Sequence, residues 1–140
     1  MSRQQTINKP VSLKGVGIHT GDEVNLTFKP AKENYGYCFC RTDLPEKPII
    51  EANIKYVVNT ERGTNLDKNG IKIKTSEHVL AALVGMEIDN VLIEIDAAEP
   101  PIMDGSAKFF VKALQKAGLK QQNKERNEYV VKDVISYHDQ

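Results

Sequence analysis

Residues 75–95 read TSEHVLAALVGMEIDNVLIEI. Val79, Ala82, Leu83 and Met86 recur at i, i+3, i+4 and i+7, and Leu80 widens the stripe, which is the period of a helix with one buried face. Thr75 or Ser76 stands where an N-cap belongs, so the spacing predicts a helix over about 76–86. Val91-Leu92-Ile93-Glu94-Ile95 follows at once, short, apolar and mostly β-branched, the pattern of a buried strand.

Upstream the chain reads mainly as β. Val11 and Leu13 alternate with Ser12 and Lys14, and Val24, Leu26 and Phe28 alternate with Asn25, Thr27 and Lys29. That is the period of strands with one buried face. Tyr37 and Phe39 share one face of the next segment and Cys38 and Cys40 the other. Ile71 and Ile73 follow the turn Asp67-Lys68-Asn69-Gly70, which predicts a hairpin with Gly-Thr-Asn-Leu as its first arm.

Downstream, a second helix is predicted from near Asp104 or Ser106 to Gly118, a C′ glycine. Its apolar face would hold Phe109, Phe110, Ala113, Leu114 and Ala117. Residues 119–128 (LKQQNKERNE) are polar and read as a linker. Tyr129 to Tyr137 looks like a strand with no later partner. The expected organisation is an α+β domain over 1–118, a linker over 119–128, and the first strand of a truncated second domain over 129–140. The fold class is α+β, a mostly antiparallel sheet with two helices packed on one face.

Composition narrows the function. Hydrophobic residues make up 40% of the 140 residues, enough for a core. Lys+Arg and Asp+Glu are each 19, so the net charge is zero. A duplex nucleic-acid binder would carry a basic excess, so no nucleic-acid partner is expected. No apolar run is long enough for a bilayer, and the N-terminus lacks the apolar stretch of a secretory signal. The expected compartment is the cytoplasm. Cys38 and Cys40, two apart on a strand, are poorly placed for a mutual disulfide and read as reduced, partly buried thiols.

Three segments could carry chemistry. Glu77-His78 opens the first helix, where the dipole favours an ionised carboxylate and a neutral imidazole. Such a pair suits metal-assisted hydrolysis, though a solvated helix start is the plainer reading of a lone Glu-His. Position 82 is Ala, so the helix offers no second ligand. Gly15-Val16-Gly17-Ile18-His19-Thr20-Gly21 is a tight glycine turn around His19. It has neither the dinucleotide nor the P-loop spacing, and its plain reading is a turn with an incidental His. In Glu99-Pro100-Pro101-Ile102-Met103-Asp104-Gly105-Ser106, Asp104 reads either as a helix N-cap or as a carboxylate that orients an imidazole.

Together GVGIHTG, TSEHVLAALVGMEIDNVLIEI and EPPIMDGSA, with YCFCRTDLP and NTERGTNL, resemble the N-terminal half of the zinc-dependent UDP-3-O-acyl-N-acetylglucosamine deacetylases of Gram-negative bacteria. The resemblance covers essentially the whole chain in order. It implies a ribosomal protein S5 domain 2-like fold, with the active site between two such domains. It also implies removal of the N-acetyl group of a UDP-linked acylated glucosamine, the committed step toward lipid A. Glu77 then matches the general base that activates the zinc-bound water, and His78 the first zinc ligand. His19 and Asp104 match supporting positions. Thr60, Gly63 and Thr64 match the segment lining the site, where the family often has Cys in place of Gly63.

The family's two other zinc ligands, in an H-x-x-x-D pattern, and a later His come from its second domain. Here His138 is the only His after His78, and no Asp follows it at i+4. A catalytic zinc normally has three protein ligands. The isolated 140 residues are therefore expected to be inert. The face meant for the missing second domain is expected to be exposed and to self-associate as a two-fold dimer. Two alternatives stay open: a non-catalytic binding module of the same fold, and part of a fusion with a 3-hydroxyacyl carrier-protein dehydratase.

Overall fold

The computed structural model describes residues 2–139. The elements, in order, are β1 (Arg3–Ile7), β2 (Val11–Val16), β3 (Glu23–Pro30), β4 (Tyr37–Arg41), β5 (Ile49–Glu51), a 3-10 turn (Ile54–Tyr56), β6 (Val57–Asn59), β7 (Asn65–Lys68), β8 (Ile71–Ile73), α1 (Glu77–Gly85), β9 (Val91–Ile95), α2 (Lys108–Ala117) and β10 (Leu119–Glu125). This is the α+β class, with two helices and mostly antiparallel pairing.

The main sheet runs β2-β3-β9-β4-β5, and only the β4–β9 pair is parallel. Its register places Phe28 opposite Ile93, Ile93 opposite Phe39, and Phe39 opposite Ile50. Four fully buried side chains thus cross four strands in one row. Each such burial is worth about 1.5–3 kcal/mol. The helices pack over this face. Phe110 of α2 meets Phe28 edge to face, ring centroids 6.4 Å apart. Val79, Ala82 and Leu83 of α1 join Phe110, Leu114 and Ala117 of α2 in the same core. Cys38 and Cys40 lie on the opposite face as free, buried thiols. Burial pushes both thiols up, toward the unreactive protonated form.

The hairpin of β7 and β8 pairs Lys68 with Ile71, so only Asn69 and Gly70 form the loop. Both have positive φ, 53° and 84°, as a type I′ turn requires. The β6-β7-β8 sheet continues straight into α1, which sets the position of Glu77 and His78.

Several expectations need correction. Residues 119–128 are not a linker, because 119–125 form β10, paired antiparallel with β1. Gly118, at φ 77°, ends α2 and turns the chain into that strand. The polar sequence hid it: no residue of β10 is buried, so the ribbon has no apolar period to read. Polar side chains tie it down. Asn90 donates to Gln4 and to Gln122, and Arg126 binds Asp89, which also takes the Gln5 amide. The strand read at 129–137 does not form; those residues are exposed and without regular structure. The second helix begins at Lys108, not at Asp104 or Ser106, and Phe109 turns outward, 37% exposed, beneath the Lys112 ammonium. Among the described residues, no helix is long and apolar enough to cross a membrane.

Candidate functional site

Residues 63–65 lie against the start of α1. Thr64 donates its amide to Glu77 Oε2 at 2.9 Å. Its carbonyl accepts from the Ser76 amide at 3.0 Å and from the Ser76 hydroxyl at 2.9 Å. Ser76 therefore occupies the N-cap position without capping, since its hydroxyl is spent on Thr64. The exchange pins one oxygen of Glu77. The other, Oε1, stands 3.9 Å from His78 Nε2. Both side chains are about one-third exposed, at 36% and 31%. Among the described residues the His78 ring has no hydrogen bond, so its nitrogens are available to a ligand.

Gly63 makes the approach of this segment possible. A Cβ there would stand 3.3 Å from Thr75 Cα and 3.4 Å from Glu77 Oε1. A Cys in its place would have to crowd Thr75 and the carboxylate. Thr60 is exposed in the stretch after β6.

His19 sits at the tip of the β2–β3 hairpin, in a loop closed by Gly17 N–H to Asp22 O and Gly21 N–H to Gly17 O, each 3.0 Å. The hairpin end rests on residues 99–103: Ile102 N–H donates to Val16 O at 2.9 Å. Beneath the loop lies Glu99, whose side chain is fully buried. Its carboxylate accepts from Thr20 N–H (2.9 Å), the Thr75 hydroxyl (2.9 Å) and His19 N–H (3.1 Å), and stands 2.9 Å from His19 Nδ1. Burial alone would push this carboxyl up. The converging donors outweigh it and hold it below the usual glutamate range.

Thr75 pays for its place in backbone strain. It has φ 53°, a genuine outlier for a β-branched residue. Such strain costs about 1–3 kcal/mol and persists only where neighbours over-determine it. Here Asn65 Oδ1 holds its amide at 3.0 Å and Glu99 its hydroxyl.

Asp104 does not cap α2, and among the described residues its carboxylate meets no imidazole. It stands four residues ahead of α2, exposed, and accepts from the Ser106 hydroxyl at 2.7 Å and the Ser106 amide at 3.0 Å. Those bonds hold its carboxyl below the usual range. The carboxylate that reaches an imidazole is Glu99. The structure thus brings together Glu77, His78, Gly63 and Thr64 on one side, and His19, Thr75 and Glu99 on the other. Thr75 joins the two, lying against Gly63 and bonded to Glu99. Sequence reading missed Glu99 and Thr75 as site residues. The signal was present only as a Glu directly before two prolines, in a segment quoted for its Asp.

The packing at Gly17 carries a prediction. A Cβ there would fall 2.5 Å from Thr20 Oγ1 and 2.8 Å from Glu99 Oε2. Gly17→Ala should therefore cost about 2 kcal/mol, as overpacking does. Urea unfolding checks it; an unchanged midpoint would mean that the loop is free to move off Glu99.

Fitting a metal is a question of donors. Among the described residues no three His, Cys, Asp or Glu side chains gather closely enough to hold an ion. The residues present fit one imidazole ligand with an adjacent carboxylate, and do not by themselves complete a three-ligand catalytic zinc site.

The family model of LpxC, UDP-3-O-acyl N-acetylglycosamine deacetylase, matches residues 4–140. The chain is similar to a bifunctional enzyme LpxC/FabZ of Chlorobaculum tepidum, 46% identical over 135 residues, covering 96% of this chain and 29% of that protein. It is similar to a UDP-3-O-acyl-N-acetylglucosamine deacetylase of Myxococcus xanthus, 43% identical over 136 residues, covering 97% of this chain and 43% of that one. A third relative, a bifunctional enzyme LpxC/FabZ of Bacteroides thetaiotaomicron, is 41% identical over all 140 residues, which make up 30% of its length. The chain spans less than half the length of these curated relatives.

Proposed function

The chain belongs to the UDP-3-O-acyl N-acetylglycosamine deacetylase family, and from that premise we propose that it supplies the proton-handling base and one metal ligand of a zinc-dependent amide hydrolase. The substrate would be a UDP-linked acylated N-acetylglucosamine, deacetylated in the cytoplasm of a Gram-negative bacterium on the way to lipid A. The observation that carries the reading is the Glu77–His78 pair. One carboxylate oxygen is anchored on the Thr64 amide, and the other is left open beside the imidazole.

What zinc supplies in such a site, when bound, is polarisation of the amide carbonyl and a water acidified toward neutral pH. His78 would hold the metal through its ring. Glu77 Oε1 would take the proton released from the attacking water, as a carboxylate within hydrogen-bond reach can. Thr64 keeps that carboxylate from rotating away. The remaining ligands would come from residues outside these 140.

The test is hydrolysis of the acetyl amide of that substrate by the protein as its host makes it. We expect turnover that is lost on chelation and restored by zinc. A zinc-loaded protein that leaves the amide intact would overturn the reading. The purified 140-residue chain should show no turnover; a measurable rate from it would show that its own residues complete the site.

A further inference from the structure

His19 is held from behind by a group that the pair at the start of α1 does not use. Glu99 is a fully buried carboxylate, and an ionised carboxylate only accepts hydrogen bonds. Its Oε1 stands 2.9 Å from His19 Nδ1 and 2.9 Å from the Thr75 hydroxyl. Thr75 Oγ1 itself lies 3.1 Å from the same Nδ1. The single Thr75 proton points to Glu99, so that oxygen meets the ring with lone pairs. The two backbone donors, His19 N–H and Thr20 N–H, cannot change role. A bare Nδ1 would thus face two acceptors with no proton between them.

We propose that Glu99 is the positioning residue of His19. With Thr75, it fixes the neutral ring with its proton on Nδ1 and leaves Nε2 as a free acceptor. A free histidine in water prefers the reverse tautomer. The ring is 36% exposed and lines a cavity of about 250 Å³ together with Asn59, Glu61, Arg62, Asn65 and Lys74. There Nε2 would offer its lone pair to a ligand hydroxyl or amide N–H. A proton fixed on Nδ1 leaves the Nε2 lone pair as the ring's one acceptor, which is how a carboxylate partner sets an imidazole's tautomer. The proposed deacetylase activity bears only on which ligand meets Nε2.

The experiment is ¹⁵N NMR of the histidine rings of the 140-residue chain, at a pH where the rings are neutral. His19 is assigned with a His19→Gln variant. His138, exposed near the end of the described chain, serves as the reference for an unconstrained ring. We expect His19 to show a protonated Nδ1 and a bare Nε2, and His138 the reverse. Glu99→Gln should flip His19. The amide oxygen must serve the immovable Thr20 N–H, which turns the NH₂ toward Nδ1 and demands a lone pair there. A wild-type His19 with its proton on Nε2 overturns the proposal, as does a folded Glu99→Gln chain with an unchanged tautomer. Should that variant not fold, the wild-type spectrum decides alone. The readout is a ring nitrogen and not turnover, so a failed deacetylation assay and a wrong tautomer are separate results.

Discussion

Glu77→Ala, in the protein as its host makes it, should lower the rate of amide hydrolysis by about 10²–10⁴-fold, the usual worth of a positioned base. Bound zinc should stay nearly constant, because the carboxylate is not the ligand in this reading. The geometry separates the two roles. Glu77 faces the segment at Thr64 and keeps one oxygen open, while among the described residues the His78 ring makes no competing hydrogen bond. Glu77→Gln is the finer probe. It retains an acceptor for the Thr64 amide but cannot take a proton, so it should be nearly as slow as alanine and more stable. The lost Thr64 bond is part-buried, and its removal should cost about 1 kcal/mol. His78→Ala should behave differently, losing zinc as well as turnover. Its drop in metal affinity should exceed the roughly 10–100-fold seen when a ligand's supporting partner is removed. Metal content measured beside kcat distinguishes the variants. Equal zinc loss in Glu77→Ala and His78→Ala would contradict this division of labour.

The parts of the fold with an apolar period were legible. The stripe Val79, Ala82, Leu83 and the run 91–95 became α1 and β9, and Asn69-Gly70 became a two-residue hairpin loop. What failed to show was the polar architecture. β1 and β10 carry few apolar residues and are joined by backbone pairing and by side chains such as Asn90, Gln122 and Arg126. Pairings between residues more than a hundred positions apart leave no local pattern. The same reason explains the site. Glu77 and His78 are neighbours in sequence and could be read together. Glu99 serves His19 across 80 positions, and a carboxylate in a proline-rich segment gives no sign that it is buried. Asp104 drew attention instead because Asp before a helix has a ready local meaning. The structure spends it on Ser106, and leaves Ala107 at the start of α2 with no side-chain cap.

Glu99→Ala should be the most damaging single change in the His19 region, destabilising the chain by about 3 kcal/mol. The variant leaves the partly buried Thr20 and His19 amides without their acceptor, and a hydrogen bond to a charged group is worth about 1.5–3 kcal/mol. Loss of the third donor partner adds to this, because Thr75 holds a strained backbone that Glu99 helps to over-determine. The His19 ring itself contributes less, since it is partly solvated and can turn to water. The effect has a pH signature. The Glu99 carboxyl titrates lower in the folded chain than when unfolded, where a glutamate has a pKa of about 4.3. A depressed folded pKa stabilises at pH above the unfolded value, and that stabilisation fades as pH falls through the folded one. The gap between wild type and Glu99→Ala should therefore be constant from neutral pH down to about 4.3 and should narrow below it. Urea unfolding of both chains at neutral pH and at several acid pH values measures this. A gap that widens toward acid would mean that Glu99 is protonated in the folded chain. The four donors would then not be satisfied by a charge, and the account of why His19 is held would lose its basis.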